Sequence, residues 1–189
     1  MSTKEDTERS RITLPLPDGV VVETRPGYLA VRGPLGRVER PFPTEAIGLE
    51  IAKGEVTLAL RIPSQRKRSQ SLLRTWAAHV KNLTGGLTRG VEAKMKVVAA
   101  HFPMKVQAKE SELVIENFLG EKYPRTAPLR PGVSAEVDGD FVVLRGYDVE
   151  QVGQSAANIE RATHIRDYDP RVFQDGIYII EKAHLKEAS

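Results

Sequence analysis

An internal repeat at an offset of 84 residues is the feature of this sequence that most constrains its fold. The segment VVVETRPGYLAVRGPLG (20–36) aligns without a gap with MKVQAKESELVIENFLG (104–120). Leu29, Leu35 and Gly36 align with identical residues of the second segment. The identities are few, but their order and the apolar pattern are kept, so the sequence predicts two tandem copies of one unit.

Further matches extend the repeat. IAKGEVTLAL (51–60) resembles EVDGDFVVLR (136–145) at an offset of one further residue, and Gln70-Ser71 aligns with Gln154-Ser155 at the original offset. Alternating stretches such as YLAVR and ELVIE are typical of half-buried strands. The dipeptides KG and DG favour tight turns, and each precedes a β-rich run. Hairpins of this kind predict an α+β fold with small antiparallel sheets.

Each copy is expected to contain one helix. The helix of the first copy is predicted from apolar residues at helical spacing, namely Leu72, Leu73, Trp76, Val80 and Leu83. We expect Trp76 to lie in the core, and Thr84-Gly85-Gly86 to end the helix and begin a charged linker over 84–96. The second helix has a thinner stripe formed by Val152, Ala156, Ile159 and Thr163. A final strand over 176–180 has no counterpart after the first helix unless 94–99 provides it.

These patterns divide the chain into four segments. We predict a flexible N-terminal tail (1–11), a first α+β repeat (12–86), a second α+β repeat (87–182) and a C-terminal tail (183–189). The first ten residues are polar and charged, without the apolar segment of a signal peptide.

Positive charge is concentrated in one part of the chain. Residues 61–105 contain ten Lys or Arg and one acid, a net charge of +9, whereas the whole chain carries +3, so the other residues sum to −6. A block of one sign repels itself unless an anion faces it, and this favours a polyanionic partner. The alternative, a solubilising surface charge, stays open for each cation taken singly.

Within this block the cations follow the predicted helix. Lys67, Arg74 and Lys81 are spaced by seven and form one stripe beside the apolar one. Arg66 and Arg68 lie at the start of the helix, where the helix dipole disfavours cations, so helix stability does not explain them. Phosphate is the anion that best fits such a group of Arg and Lys.

Several function classes are disfavoured. The chain has no cysteine, which excludes disulfides, thiolate metal sites and a Cys nucleophile and is typical of a reducing cytoplasm. No apolar run has the length of a membrane span. The four histidines, at 79, 101, 164 and 184, lack the spacing of a metal site. GGLTRG (85–90) is followed by Val91-Glu92 and not by the Lys-Ser/Thr of a phosphate loop.

Two rival functions stay open. A small hydrolase could use the pair Asp138 and Asp140 or the pair Asp167 and Asp169, although turns favour Asp for their own geometry. A free-standing RNA- or DNA-binding factor would also explain the basic block.

The segment DPRVFQDGIYIIEK (169–182) is the sharpest local feature. It combines cations, aromatic residues and a turn before a strand, namely Arg171, Phe173, Asp175, Gly176, Tyr178 and Lys182. Aromatic rings that stack on bases and cations that hold phosphates suit unpaired RNA. The alternative is a tight turn with its aromatic side chains packed inward.

RVFQDGIYIIEK, preceded by QSAANIERATHIRDYDP, resembles the carboxy-terminal signature of the L-six family of large-subunit ribosomal proteins, in its archaeal and eukaryotic branch. VRGPLGRVERPF and VKNLTGGLTRGVEAKMKVV are also similar to that family, so the resemblance covers most of 12–182. It implies two α+β units, each with two small sheets and one helix around a single core. It also implies a structural protein of the cytoplasmic ribosome, without catalysis and without a cofactor.

The resemblance further implies binding to large-subunit rRNA near the elongation-factor site, mainly through the second copy, beside neighbouring ribosomal proteins and translation factors and away from membranes. Its signature positions here are Gln154, Asn158, Arg161, Arg171, Phe173, Asp175, Gly176, Tyr178 and Lys182. The basic block adds RNA-binding candidates at Arg66, Lys67, Arg68, Arg74, Lys81, Arg89, Lys94 and Lys96.

Overall fold

The chain folds into two compact units, Met1–Thr88 (unit 1) and Arg89–Ser189 (unit 2). The structure is a computed structural model and describes residues 10–52, 54–64, 66–166, 168–169 and 171–187. Within this part of the chain, no helix combines the length and the apolar character needed to cross a membrane. The α+β class with small antiparallel sheets is confirmed.

Unit 1 contains two three-stranded antiparallel sheets and one long helix. Its strands are β1 (Arg11–Pro15), β2 (Val21–Arg25), β3 (Tyr28–Gly33), β4 (Gly36–Pro41), β5 (Ile47–Ala52) and β6 (Glu55–Leu60), followed by helix α1 (Lys67–Arg89). The sheets have the orders β1-β6-β5 and β2-β3-β4. Ser10 is buried and its carbonyl accepts a hydrogen bond from Leu60 N (2.9 Å), so the described structure begins inside the segment predicted as a tail.

Helix α1 is longer than the sequence predicted. Thr84-Gly85-Gly86 does not end it, because these residues are buried within the helix and their burial outweighs the low helix propensity of glycine. Leu87 is fully buried, and its carbonyl accepts a hydrogen bond from Leu35 N at 3.1 Å. The helix ends before Gly90, whose φ of +83° is the left-handed conformation that favours glycine after a helix. The segment predicted as a linker is therefore helix up to Arg89 and strand from Val91.

The buried face of α1 differs from the predicted stripe. Leu73, Ala77 and Val80 are buried, whereas Leu72 is 36% exposed. Trp76 is half-buried, and its ring meets Phe42 edge-on with 4.8 Å between centroids. The prediction of an inward-facing Leu72 is wrong, and Trp76 packs at the margin of the core.

In the described residues, unit 2 has one strand more than unit 1. Its strands are β7 (Val91–Val98), β8 (Lys105–Ala108), β9 (Glu112–Glu116), β10 (Arg125–Pro128), β11 (Ser134–Asp138), β12 (Phe141–Gly146) and β13 (Gly176–Leu185), and helix α2 (Val149–Ala162) precedes β13. The sheets have the orders β11-β12-β7-β13 and β10-β9-β8. One cluster of buried apolar side chains joins both sheets and α2, and it includes Met95, Ile115, Leu144, Ile159 and Ile177.

Both ends of α2 are held by side chains. The buried Asp148 caps the start and accepts a hydrogen bond from Glu150 N at 2.9 Å. Arg125 binds the carbonyls of Ala162 (2.8 Å) and His164 (3.3 Å) at the end. Arg125 also pairs with Glu121 (2.6 Å), and its hydrogen bonds hold the pKa of Glu121 below the ordinary value against the opposing effect of burial.

The strand orders of the two units correspond, as a duplicated unit predicts. The order β1-β6-β5 corresponds to β7-β12-β11, and β2-β3-β4 to β8-β9-β10. Strand β7 therefore takes the place of β1, and 94–99 is not the counterpart of the last strand. No strand in the described residues of unit 1 takes the place of β13.

The strand pairing also corrects the sequence alignment of one hairpin. Ala52 pairs with Glu55 beside the first turn, and Asp138 pairs with Phe141 beside the second. The buried Leu58 thus corresponds to Leu144, one residue beyond the alignment of KG with DG. Because successive side chains of a strand point to opposite faces, the predicted alignment would have exchanged core and solvent positions.

Candidate nucleic-acid interface

The cations of α1 lie on its solvent side. Lys67, Arg74 and Lys81 are exposed along the helix, and Arg66 and Arg68 are exposed at its start. The first turn of α1 contains no acidic residue. Within the described ranges, none of these five side chains forms an ion pair. We call them the α1 basic face; Arg89 is exposed at the end of the helix.

Unit 2 carries cations on the sheet face opposite its core. Lys96 is exposed on β7 and lies in register with Phe141 on β12 and Tyr178 on β13. Lys94 lies two residues earlier on the same face, with its ammonium 4.5 Å from the centroid of the Phe141 ring. The pairing thus places three predicted site residues, Lys94, Lys96 and Tyr178, on one face.

Arg145 on the same face is neutralised by acids. Its guanidinium binds Glu92 (3.1 Å) and Glu136, and Lys186 also pairs with Glu92 at 3.6 Å. Burial raises the pKa of Glu92, but the hydrogen bond and charge of Arg145 outweigh it and hold that pKa below the ordinary value. Among the described residues Lys96 has no such carboxylate, so the charge left for a partner lies towards Lys96.

Two of the signature positions on α2 are engaged within unit 2. Gln154 Nε2 donates to Asn158 Oδ1 at 3.0 Å, and Asn158 Nδ2 donates to the carbonyl of Pro128 at 2.9 Å. Asn158 therefore ties α2 to β10, and Gln154 holds the Asn158 side chain. Arg161, one turn further on, is exposed.

Asp175 is a buried carboxylate that anchors a distant loop. Its side chain is 1% exposed and accepts hydrogen bonds from His101 N (3.0 Å) and His101 Nδ1 (2.8 Å). Burial raises the pKa of Asp175, but these hydrogen bonds outweigh it and hold the pKa below its ordinary value. In this arrangement Asp175 positions His101 and does not itself face outward.

His101 belongs to a group of rings at the surface. Its ring centroid lies 4.8 Å from that of Phe173, which lies 4.9 Å from that of Tyr168. We call these three residues the aromatic cluster. Sequence reasoning missed His101 and Tyr168, since no local pattern joins His101 to a segment 74 positions away.

The loop at 117–120, which contacts the residues that follow His101, has an unusual backbone. Asn117 (φ +59°) and Leu119 (φ +49°) both adopt left-handed conformations, which are strained for a residue such as leucine. Asn117 Nδ2 donates to the carbonyl of Pro103 at 2.9 Å. A Cβ on Gly120 would lie 3.2 Å from the Phe102 ring. The turn at 117–120 is thus fitted closely to the segment that carries His101.

A pocket of about 660 Å³ lies between the end of α2 and the start of β13. We call it the C-terminal pocket. Glu160, Arg161 and His164 line one part of it, and Phe173 and Tyr178 contribute aromatic surface. The Tyr178 ring lies over Gly176, where a Cβ would be 3.0 Å from it, so this glycine leaves room for the ring. The structure therefore brings Arg161, Phe173 and Tyr178 together with Glu160, which sequence reasoning missed.

The remaining signature positions lie outside the pocket lining. Arg171 and Lys182 are exposed. The backbone N of Arg171 donates to Asp169 Oδ1 at 2.9 Å, so Asp169 is used in the turn.

The carboxylate pairs of a hydrolase receive no further support. Asp138 and Asp140 are exposed at a hairpin end, and the Asp140 carbonyl binds Val97 N. Asp167 lies outside the described residues. Among those that are described, no group of three or more His, Cys, Asp or Glu is arranged to hold a metal ion.

Comparisons with known proteins identify relatives over nearly the whole chain. The family model described as Ribosomal protein L6 matches residues 102–176. The "Large ribosomal subunit protein uL6" of Methanosarcina mazei is 45% identical over 171 residues, which cover 90% of this chain and 96% of that protein. The protein of the same name from Ignicoccus hospitalis is 43% identical over 168 residues, covering 87% and 90% of the two chains.

Proposed function

The chain belongs to the L-six (uL6) family of ribosomal proteins, and we propose that it binds large-subunit rRNA through two surfaces, near the region where elongation factors bind. It is a structural constituent of the large ribosomal subunit and not an enzyme. The surface in unit 2 is the C-terminal pocket with the aromatic cluster, and the surface in unit 1 is the α1 basic face.

The observation that carries this proposal is the convergence at the C-terminal pocket. A guanidinium from α2 and two aromatic rings from the β13 segment meet there, although Arg161 and Tyr178 are separated by a loop. Cations that hold phosphates and rings that stack on bases are the elements by which proteins bind unpaired RNA. Asp175 supports this surface indirectly, since it positions His101 against Phe173.

The α1 basic face supports the second surface. Five exposed cations without acidic partners in the described structure favour an external polyanion, because their mutual repulsion lowers the stability of the free protein. Such a face holds phosphates without reading sequence. We propose that it binds an rRNA backbone, and that neighbouring ribosomal proteins and bound translation factors lie close by.

Directed cleavage of rRNA tests the proposed location. The chain has no cysteine, so Arg171→Cys creates a unique site for a tethered iron chelate. In purified large subunits we expect hydroxyl radicals from position 171 to cut rRNA in the elongation-factor region, and added elongation factor to alter the cuts. Glu110→Cys, at an exposed position of the same unit, gives the control pattern.

Cuts confined to other rRNA regions would contradict the location. A chain that sediments apart from large subunits in low salt would contradict the function itself and favour a free RNA- or DNA-binding factor.

A further inference from the structure

We propose that the C-terminal pocket binds one unpaired guanine base of an RNA strand, read by the carboxylate of Glu160. This inference rests on the proposed function and adds to it the identity of a base. Cations and aromatic rings are enough for general RNA binding. They do not explain why the carboxylate of Glu160 lies in the pocket.

The pocket has room for a base, and its lining offers groups that could contact one. The cavity of about 660 Å³ combines two aromatic rings with charged and polar side chains, among them Glu160 and Arg161, and is large enough for a small ligand. Phe173 is held from outside the pocket by its ring contacts with His101 and Tyr168, at 4.8 and 4.9 Å. Tyr178 is held by the hydrogen bond from its hydroxyl to the Gln174 carbonyl (3.2 Å). Both rings are thus preorganised before a ligand enters.

Glu160 provides the polar recognition. Its contact within the described structure is a long hydrogen bond from Ile179 N to Oε1 at 3.5 Å, and it forms no ion pair there. An ionised carboxylate only accepts hydrogen bonds, and its two oxygens suit two parallel donors. Guanine is the base that presents two adjacent donors, N1–H and N2–H, on its Watson–Crick edge. That edge is free only when the base is unpaired.

Arg161 provides a route for the phosphate. It lines both the C-terminal pocket and an adjoining cleft of about 360 Å³ that also contains Arg166 and His164. Arg125 in that cleft is engaged by Glu121 and by backbone carbonyls, whereas Arg161 and Arg166 line it without an ion pair in the described residues. A base in the pocket would place its backbone phosphates beside these guanidinium groups. Their positive charge would offset the repulsion between the Glu160 carboxylate and the phosphates.

Binding of short RNAs tests the proposal. Fluorescein-labelled UUGUU, UUIUU (central inosine), UUAUU and UUUUU are titrated with the full-length protein in low salt, and anisotropy is measured. We expect UUGUU to bind about tenfold more tightly than UUUUU or UUAUU, as is typical of a bidentate contact to a base. UUIUU, which lacks the N2 donor, should be intermediate.

Variants assign the preference to its residues. Glu160→Gln should bring the dissociation constants of UUGUU and UUUUU close together, because the amide offers one acceptor instead of two. Arg161→Gln should weaken all pentamers alike and keep their ratio. Glu110→Gln makes the same charge change outside the pocket and should leave every dissociation constant unchanged.

Three results would overturn the proposal: equal binding of the four RNAs by the unaltered protein, binding of none of them, or a guanine preference that persists in Glu160→Gln. The first two need no variant to fold. If the chain still sediments with large subunits in any of these cases, the guanine site is wrong and the proposed function stands. If the chain does not sediment with them, both fail.

Discussion

Units 1 and 2 share the order of their strands but differ in what they add to it. Unit 1 has a helix of 23 residues with a row of exposed cations, whereas unit 2 has a helix of 14 residues, the C-terminal pocket and, among the described residues, an extra edge strand. The pocket lies where β13 and its preceding loop depart from the pattern of unit 1. The departure from the common framework forms the C-terminal pocket, which we propose as an RNA site.

The buried polar groups show the same contrast. In the described structure, the buried polar residues of unit 1 are Ser10 and Thr84, whereas unit 2 buries two carboxylates, Asp148 and Asp175. Asp148 caps a helix and Asp175 fixes His101. Unit 2 thus uses one buried carboxylate to cap a helix and the other to hold the His101 loop in place.

Substitution of equivalent core residues should destabilise the two units by about the same amount. Leu58 in unit 1 and Leu144 in unit 2 are both fully buried in corresponding strands. We expect Leu58→Ala and Leu144→Ala each to lower the free energy of unfolding by about 2–5 kcal/mol, from lost apolar burial and the resulting cavity. Urea denaturation followed by circular dichroism measures both. If only one of the two variants lowered the free energy of unfolding by more than the experimental error, the frameworks would not be equivalent.

Aromatic residues should separate stability from binding. Trp76→Ala removes a half-buried ring and should lower the free energy of unfolding by about 2 kcal/mol, less than a fully buried tryptophan. Its effect on rRNA affinity should be small. Phe173→Ala should instead reduce rRNA affinity, by about tenfold if a base stacks on it. If Trp76→Ala lowered rRNA affinity and Phe173→Ala changed only stability, the roles given to these two residues would be contradicted.

The α1 basic face should act through charge alone. Reversal of Arg66, Lys67 and Arg68 together to Glu should weaken rRNA binding by about tenfold near physiological salt and flatten its dependence on salt by roughly 2 in the logarithmic slope. Binding measured from 50 to 300 mM KCl gives the slope. The same residues changed to Gln should give a smaller decrease in affinity. An unchanged slope would show that the α1 basic face does not contact rRNA phosphates.

The smallest effect is expected from Asp175→Asn. At neutral pH the variant should lose about 1 kcal/mol of stability, the usual contribution of a hydrogen bond. The native pKa of Asp175 lies below its ordinary value of 3.8, so its carboxylate stabilises the fold above that value, and the stability is lost as the pH falls further.

Urea titrations at pH 2.5–7 should therefore show the curves of wild type and Asp175→Asn converging in acid. Asp18→Asn, at an exposed site in unit 1, is the control and should show no such convergence. A constant difference between wild type and Asp175→Asn at all pH values would mean that the carboxylate charge is not what His101 stabilises.

The sequence predicted the parts of the fold that depend on local pattern. Alternation and turn dipeptides predicted the hairpins. An ungapped match located β3 and β9, whose buried residues 29–31 and 113–115 correspond at the 84-residue offset. The hairpin alignment was wrong by one residue because glycine lies at different positions in the two turns. Gly85 and Gly86 were taken as a helix end because their burial depends on tertiary packing.

The site was less accessible to sequence reasoning. Arg161, Phe173 and Tyr178 came from the family signature, but Glu160 beside Arg161 gave no signal that it would share their pocket. The pairing of His101 with Asp175 joins two loops that are far apart in sequence. Such a contact follows from the path of β7 and β13 side by side, which no local pattern specifies.

Lysine reactivity in the assembled particle tests most directly whether both units face rRNA. The free protein and purified large subunits are treated with an acetylating reagent, and each lysine is quantified by mass spectrometry. We predict that Lys67 and Lys81 in unit 1 and Lys96 and Lys182 in unit 2 react in the free protein and are protected in the subunit. Equal acetylation of these four lysines in both states would contradict the account.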